Sequence, residues 1–473
     1  MPSAVWGMLF AIMKISMKYR NRASLRQAIL FLSLAGIFLL ASGALSQQQA
    51  PPLLVMISVD GMRPDYITEA DAHGAKVPNL RRFLNEGTYA EGVVGTLPTV
   101  TYPAHTTLVT GVWPAKHGIF ANTTFDPLQQ NFQGWYWYTE DIRVPTLWDV
   151  AARAGRGTAS IQWPVTVGAH MNWNIPEFWR AGTPDDAKLL RAVSTPGLLE
   201  EAKPDLGEYT GGIDTSGKAD ESRGRFTQWI LEKKHPGLLT LHLTSLDHIE
   251  HETGPFSPES IAILEGIDTT IGKIRETAER VAPGRAYIAV VSDHGFVRTD
   301  YQLNLFPAFR EANLITTDGK GKITDWKAMP WVTGGSAAIV LKDPNDAAIA
   351  SQVRELLAKL ANNPANGIDR TLEAEDLLKR GGYPPASFFV SLKAGWRTGA
   401  TLEGPVLSKT LKLGGTHGAL PDLPELRAAF FLVGPGVPAG KSLGIIDMRD
   451  VAPTLAHEIG LSLPSADGKI LLP

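Results

Sequence analysis

The stretch Leu53-Leu54-Val55-Met56-Ile57-Ser58-Val59-Asp60-Gly61 is an almost unbroken apolar run that stops at an aspartate and a glycine. A parallel strand covered on both faces has this pattern, because none of its positions faces water. The pattern recurs from Leu238 to Leu246 before Asp247, and from Tyr287 to Ser292 before Asp293. Such runs alternate here with longer helix-like stretches, which predicts an α/β fold around a mostly parallel sheet. Ligands of open α/β sheets sit beyond the carboxyl ends of the strands, so three aspartates at three such ends are expected to converge on one site. A single aspartate in that place usually caps a turn. Three in one chain, two with histidines nearby, ask for more.

Working outward, Thr158 to Gln162 and Ala428 to Val433 read as further strands, and Ser257 to Arg280 as an amphipathic helix. Residues 329–394 offer a strand (Ala337 to Leu341), a helix (Asp346 to Leu360), a short helix (Ala374 to Arg380) and a strand (Ser387 to Leu392). This segment is expected to be a small α+β cap inserted into a catalytic domain formed by residues 53–328 and 395–473.

The chain has 473 residues, 45 basic and 48 acidic, 44% hydrophobic, and no cysteine. Disulfide scaffolds, thiolate metal sites and cysteine nucleophiles are therefore excluded. Residues 1–46 carry Lys14, Lys18, Arg20, Arg22 and Arg26 and no acid, then the apolar run Ala28 to Leu40 and small residues up to Ser46. That order predicts a signal peptide cleaved after Ala44 or Ser46, with Met17 a more ordinary start, followed by a linker at 47–52. Thirteen apolar residues are short for a membrane span of about 20. Export to the periplasm or the extracellular space is expected, with no stable span in the mature chain. Losing the five basic residues takes the formal net charge from −3 to −8, which argues against binding nucleic-acid duplexes.

Carboxylates and imidazoles together suit zinc or a similar transition metal. Asp247, His251 and His417 would give one ion three ligands and an open position, and Asp60, Asp293 and His294 would hold a second. Two ions roughly 4 Å apart can act on both the attacking and the leaving oxygen of a phosphoryl transfer. His73, His235 and His457 carry no such signal. The run Leu97 to His105 leads into a helix, with Pro103 fitting its first turn and Gly111 its end. Thr101 would stand at the N-terminus of that helix, where N–H groups favour an alkoxide and a phosphate oxygen. In isolation, a threonine there is usually only a cap.

The blocks Val59-Asp60-Gly61-Met62-Arg63, Pro98 to Pro103 with Leu108 to Gly111 and His117-Gly118-Ile119, Asn122, Asp247 with His251 and Gly254-Pro255, Ser292 to Gly295, and Gly415 to Gly418 resemble the nucleotide pyrophosphatase/phosphodiesterase family of the alkaline phosphatase superfamily. They occur in the family's order from about residue 53 to 460. The resemblance implies an alkaline-phosphatase-like fold, two Zn2+ per chain, and hydrolysis of phosphodiester or phosphoanhydride bonds through a threonyl-phosphate intermediate. It makes Thr101 the nucleophile and a ligand of the zinc held by Asp60, Asp293 and His294. Asn122 and the backbone N–H of Tyr102 would bind phosphate oxygens. The chain departs from the family at Val165, after Trp163-Pro164, where glycine is usual, and at Ala419-Leu420, where an aspartate is usual; both are expected to alter the pocket wall. Two zinc ions, three aspartates and a threonine alkoxide leave the site formally neutral, which suits a singly charged diester better than a dianion. Thr101-x-Pro103-x-His105 argues against a sulfatase. The rivals are a phosphomonoesterase or phosphonate hydrolase on the same site, or a catalytically silent, metal-binding exported protein. Trp135-Tyr136-Trp137-Tyr138 could form a platform for a nucleobase, a cage for a choline-like cation, or plain packing. Nucleotide and lipid head-group diesters both stay open as small-molecule substrates, as does the oligomeric state.

Overall fold

A computed structural model describes residues 50–473 except 132, 133, 181 and 213. The expected export segment, and residues 47–49 of the linker, lie outside the described residues. The central sheet has eight strands: β1 (Leu53–Val59), β2 (Thr88–Tyr89), β3 (Thr158–Ile161), β4 (Trp173–Ile175), β5 (Leu238–Leu243), β6 (Ala286–Val291), β7 (Phe430–Val433) and β8 (Lys441–Ser442). Their order is β8-β2-β7-β6-β1-β5-β3-β4. The stretch β6-β1-β5-β3-β4 is parallel throughout, and β7 runs antiparallel to both its neighbours.

Five helices matter for the site: α1 (Thr101–Thr110), α2 (Gly217–Lys234), α3 (Ser245–Thr253), α4 (Pro258–Val281) and α5 (Val451–Glu458). On β1, Leu53, Val55, Ile57 and Val59 enter a core closed by α2 and α4. Leu54 and Met56 enter the opposite core, closed by α1 and α5. Both faces are covered, so β1 carries no alternating polar side chains. Burying each of these aliphatic side chains stabilises the fold by about 2 kcal/mol.

The run ending at Leu246 is shorter as a strand than the sequence suggests. β5 stops at Leu243, and Asp247 lies one turn on, inside α3. The cause is Asp220, whose carboxylate accepts from the backbone N–H of Thr244 (3.2 Å) and of Ser245 (3.1 Å). It supplies from a distant helix the acceptors that the first N–H groups of α3 lack.

Within residues 329–394, the strands Ser336–Leu341 and Phe388–Leu392 and the helices Ala347–Ala361 and Ala374–Lys379 form where the pattern predicts them. Two edge strands complete an antiparallel four-stranded sheet, Ala328–Val332 beside the first strand and Ile368–Glu373 beside the second. Their sequences hide them, because one contains Pro330 and the other is mostly polar, as edge strands tolerate. The apolar core under this sheet begins upstream, at Leu303, Phe306 and Phe309.

Candidate active site

Asp60 follows β1 directly, and Asp293-His294 follow β6 after Ser292. Asp247 and His251, four residues apart on α3, share one helix face. His417 follows the strand Leu407–Thr416. Thr101 is the first residue of α1, and the extended Val100 before it is the cap position, so the Thr101 hydroxyl is not consumed as a helix cap. Asp60, Thr101, Asn122, Asp247, His251 and His417 line one cavity of ≈ 450 Å³.

Ligand atoms of Asp60, Asp293 and His294 lie within 4.8 Å of one another, and so do those of Asp247, His294 and His417. The Nε2 atoms of His251 and His417 stand 3.5 and 3.6 Å from Asp247 Oδ1. His294 therefore sits between the two expected sets rather than in one alone. Each of these histidines is oriented the same way. Nδ1 of His251, His294 and His417 faces the carbonyl of Gly415 (3.2 Å), Gly295 (3.1 Å) and Thr99 (2.9 Å). A carbonyl only accepts, so Nδ1 carries the proton and Nε2 is left as the ligand atom. Asp60 Oδ1, Asp247 Oδ1, Asp293 Oδ2 and His294 Nε2 are buried with no hydrogen-bond partner. Buried polar atoms in proteins are normally paired, and a converging set of unpaired oxygens and imidazole nitrogens can hold a metal ion.

The electrostatics agree. Burial, with Asp293 and Asp247 nearby, pushes the Asp60 carboxyl well above its usual range. Burial would also raise Asp293, but His294 beside it holds it well below. Burial and the neighbours His294 and His251 push His417 well down. Although burial opposes its charge, Asp293 lifts His294 to about 9, so this cluster of mutually repelling buried carboxylates draws positive charge into it, as a bound cation would supply.

Two corrections concern the pocket. The Tyr102 N–H, expected to face a phosphate oxygen, donates instead to Asn122 Oδ1 at 2.9 Å. It thereby orients the carboxamide and leaves the Asn122 amino group as the donor to the cavity. Val165 and Ala419-Leu420 do not form the pocket wall. Val165 and Leu420 are packed into apolar cores, and Ala419 into a small cluster with Val297 and Leu426. Val165 nevertheless keeps a glycine-like conformation, φ 58°, in a region that costs a β-branched residue about 1–3 kcal/mol. The aromatic run divides its labour. Trp135 lines the cavity with Trp179, whereas Trp137 is buried behind them and Tyr138 is exposed.

Four further residues of the site carry no sequence signal of their own. His105 spans from α1 to β1, with Nδ1 donating to Thr101 O (2.9 Å) and Nε2 accepting from Ser58 Oγ (2.8 Å). His242 lies between Asp60 and Glu177, at 2.9 and 2.7 Å, and although burial opposes its charge, Glu177 and Asp60 lift it to about 10. Arg223 is the fourth, a buried guanidinium on the cavity wall. Its donors go to the carbonyls of Gly211, Gly212 and Asp214, to Asp220 Oδ1 and to Thr244 Oγ1. Those contacts engage all five of its N–H groups.

A doubly covered, mostly parallel sheet with two adjoining donor sets at its carboxyl edge and a threonine at a facing helix N-terminus defines an alkaline-phosphatase-like protein. Residues 54–420 match the type I phosphodiesterase / nucleotide pyrophosphatase family, and the chain belongs to it. An uncharacterized pyrophosphatase/phosphodiesterase of Schizosaccharomyces pombe is 27% identical over 251 residues, 52% of this chain and 45% of that protein. Bovine bis(5'-adenosyl)-triphosphatase is 24% identical over 426 residues, 88% of this chain and 80% of the relative. The chain spans about half the length of several curated relatives that it matches. Among solved structures, human ectonucleotide pyrophosphatase/phosphodiesterase 5 superposes with a TM-score of 0.61 at 19% identity, covering 87% of this chain and 95% of that one. An inactive threonine-to-alanine variant of the murine protein in complex with AMP gives 0.62 at 19% identity, covering 87% and 96%.

Proposed function

We propose that this chain is an exported two-zinc phosphodiesterase and nucleotide pyrophosphatase that works through a threonyl-phosphate intermediate. The observation that carries the reading is the opening of Thr101, Asn122, Asp60 of one donor set and Asp247, His251 and His417 of the other onto one cavity, with Asp293 and His294 buried behind Asp60. Asp60, Asp293, His294 and Thr101 would hold one Zn2+, and Asp247, His251 and His417 the other. When bound, the ions supply positive charge to the attacking and leaving oxygens.

The chain's own residues do the rest. Thr101 attacks phosphorus from the N-terminal turn of α1, whose N–H groups favour the negative charge that builds there. The Asn122 amino group donates to a non-bridging phosphate oxygen, held in place by the Tyr102 N–H. His105, neutral because burial, with His242 beside it, lowers it to about 3, fixes the Thr101 carbonyl without adding charge. The alcohol or phosphate leaves opposite Thr101. Water then attacks from that side and frees the threonine.

Arg223 favours the diesterase over the monoesterase. A monoester needs a cation for its extra charge, and the one guanidinium that the described residues place on the cavity wall has no N–H left to offer. Trp135 and Trp179 form an apolar wall suited to a nucleobase, in keeping with the AMP held by the murine relative. The basic-then-apolar order of residues 1–46 supports export, tested by N-terminal sequencing of secreted protein.

Acid quenching during turnover of a nucleotide diester is expected to leave a nucleoside monophosphoryl group, the part of the substrate still esterified to phosphorus, on the peptide carrying Thr101, and Thr101→Ala to lose both that adduct and turnover. Full activity in Thr101→Ala contradicts the covalent route.

A further inference from the structure

Asp60 uses its two oxygens differently. Oδ2 accepts from His242 Nε2 at 2.9 Å, while Oδ1 has no hydrogen-bond partner and lies 3.4 Å from His294 Nε2. His242 reaches Asp60 through strand register, since β5 pairs it with Ser58, two residues before Asp60. Its Nδ1 donates to Glu177 Oε2 at 2.7 Å, and the other Glu177 oxygen accepts from the Tyr102 hydroxyl at 2.9 Å. All four side chains are buried. A continuous hydrogen-bonded chain thus joins Asp60, after β1, to the residue that follows Thr101 in α1.

This arrangement is costly as mere packing. A strand reading Leu-Leu-Thr-Leu-His-Leu would bury another apolar residue at position 242 without needing two carboxylate partners. A buried aspartate with two free oxygens could also turn about its last torsion, whereas one pinned at Oδ2 presents a single oxygen in a fixed direction.

We propose that Glu177 and His242 are positioning residues that hold Asp60 with only Oδ1 turned into the site and tie that atom to the first turn of α1. The inference rests on the two-cation reading above and adds to it the residues that set its geometry. Outer partners of this kind typically govern metal affinity by 10–100-fold.

The test uses the full chain loaded with Zn2+ alone and titrated with a chelator, with bound zinc counted by elemental analysis. Glu177→Gln is expected to lose one of two ions at a roughly 10–100-fold lower chelator activity than the wild type, with the second ion and the melting of the metal-free fold unchanged. Loading with Co2+ should show the visible bands of one site altered. Tyr102→Phe cuts only the link to α1, and is expected to keep both ions while kcat falls and KM holds. Two ions retained at wild-type affinity in Glu177→Gln, or both lost together with a destabilised metal-free fold, overturns the proposal. If Glu177→Gln does not fold, an unchanged kcat in Tyr102→Phe overturns the link to α1. A wild type that binds no zinc defeats the two-cation reading itself, whereas a wild type with two ions and an indifferent Glu177→Gln defeats this inference alone.

Discussion

His294 and His417 lie face to face, with ring centroids 3.7 Å apart and planes 8° from parallel. Both rings send Nδ1 to a backbone carbonyl, so both present Nε2 to the cluster of Asp60, Asp247 and Asp293. Two stacked, buried imidazoles repel each other when protonated, and the carboxylates beside them repel each other when ionised.

Removing divalent cations should therefore destabilise the protein as well as inactivate it. Free zinc at about 100 times its dissociation constant adds about 2.7 kcal/mol per site. Thermal melts with strong chelator and with restored zinc check this. Coincident melting curves contradict it.

Asn122 is expected to contribute mainly when charge builds on phosphorus. Asn122→Ala removes the cavity-facing donor and releases the Tyr102 N–H bound to it. Losing one such donor costs about 10²–10³ in kcat. Steady-state kinetics on a nucleoside diester should show that loss in kcat more than in KM.

His117 gives a pH signature away from the two donor sets. Its Nδ1 accepts from the Ile119 N–H at 3.1 Å and its Nε2 faces Thr107 Oγ1 at 3.1 Å, and burial lowers it to about 3. Between about pH 6.5 and 3 the unfolded chain binds a proton here that the folded chain does not. The contribution is intact above pH 6.5 and falls away by about 1.4 kcal/mol per pH unit on acidification. His117→Gln should be less steep than the wild type by that amount over this range. Equal slopes in paired denaturant titrations would remove His117 as the cause.

Asp60, Asp247 and Asp293 were legible because each follows an apolar run, with His294 one residue and His251 one helical turn beyond such an aspartate. His417, by contrast, follows a partly polar strand and was legible only through its Thr416-His417-Gly418 block. Asp60 and Asp293 follow β1 and β6 closely. Asp247 was recognisable although its strand ends early, because the acceptor that starts α3, Asp220, comes from elsewhere in the chain. His242 and Glu177 were not legible. One is hidden inside a run of leucines and the other follows a three-residue strand, and only the parallel register brings them to Asp60. Arg223 was missed for a related reason, since its partners are loop carbonyls that leave no trace in side-chain pattern. The Tyr102 N–H went astray because a sequence shows that a donor exists, and not which acceptor folding brings to it.

The most direct test of the central claim compares kcat/KM of the zinc-loaded chain from residue 47 for three chromogenic substrates: the p-nitrophenyl ester of a nucleoside monophosphate, bis(p-nitrophenyl) phosphate and p-nitrophenyl phosphate. A neutral site with Arg223 fully engaged and Trp135 on its wall predicts that the nucleoside ester is turned over best and the monoester worst. A preference for p-nitrophenyl phosphate would contradict the charge balance on which the diesterase reading depends.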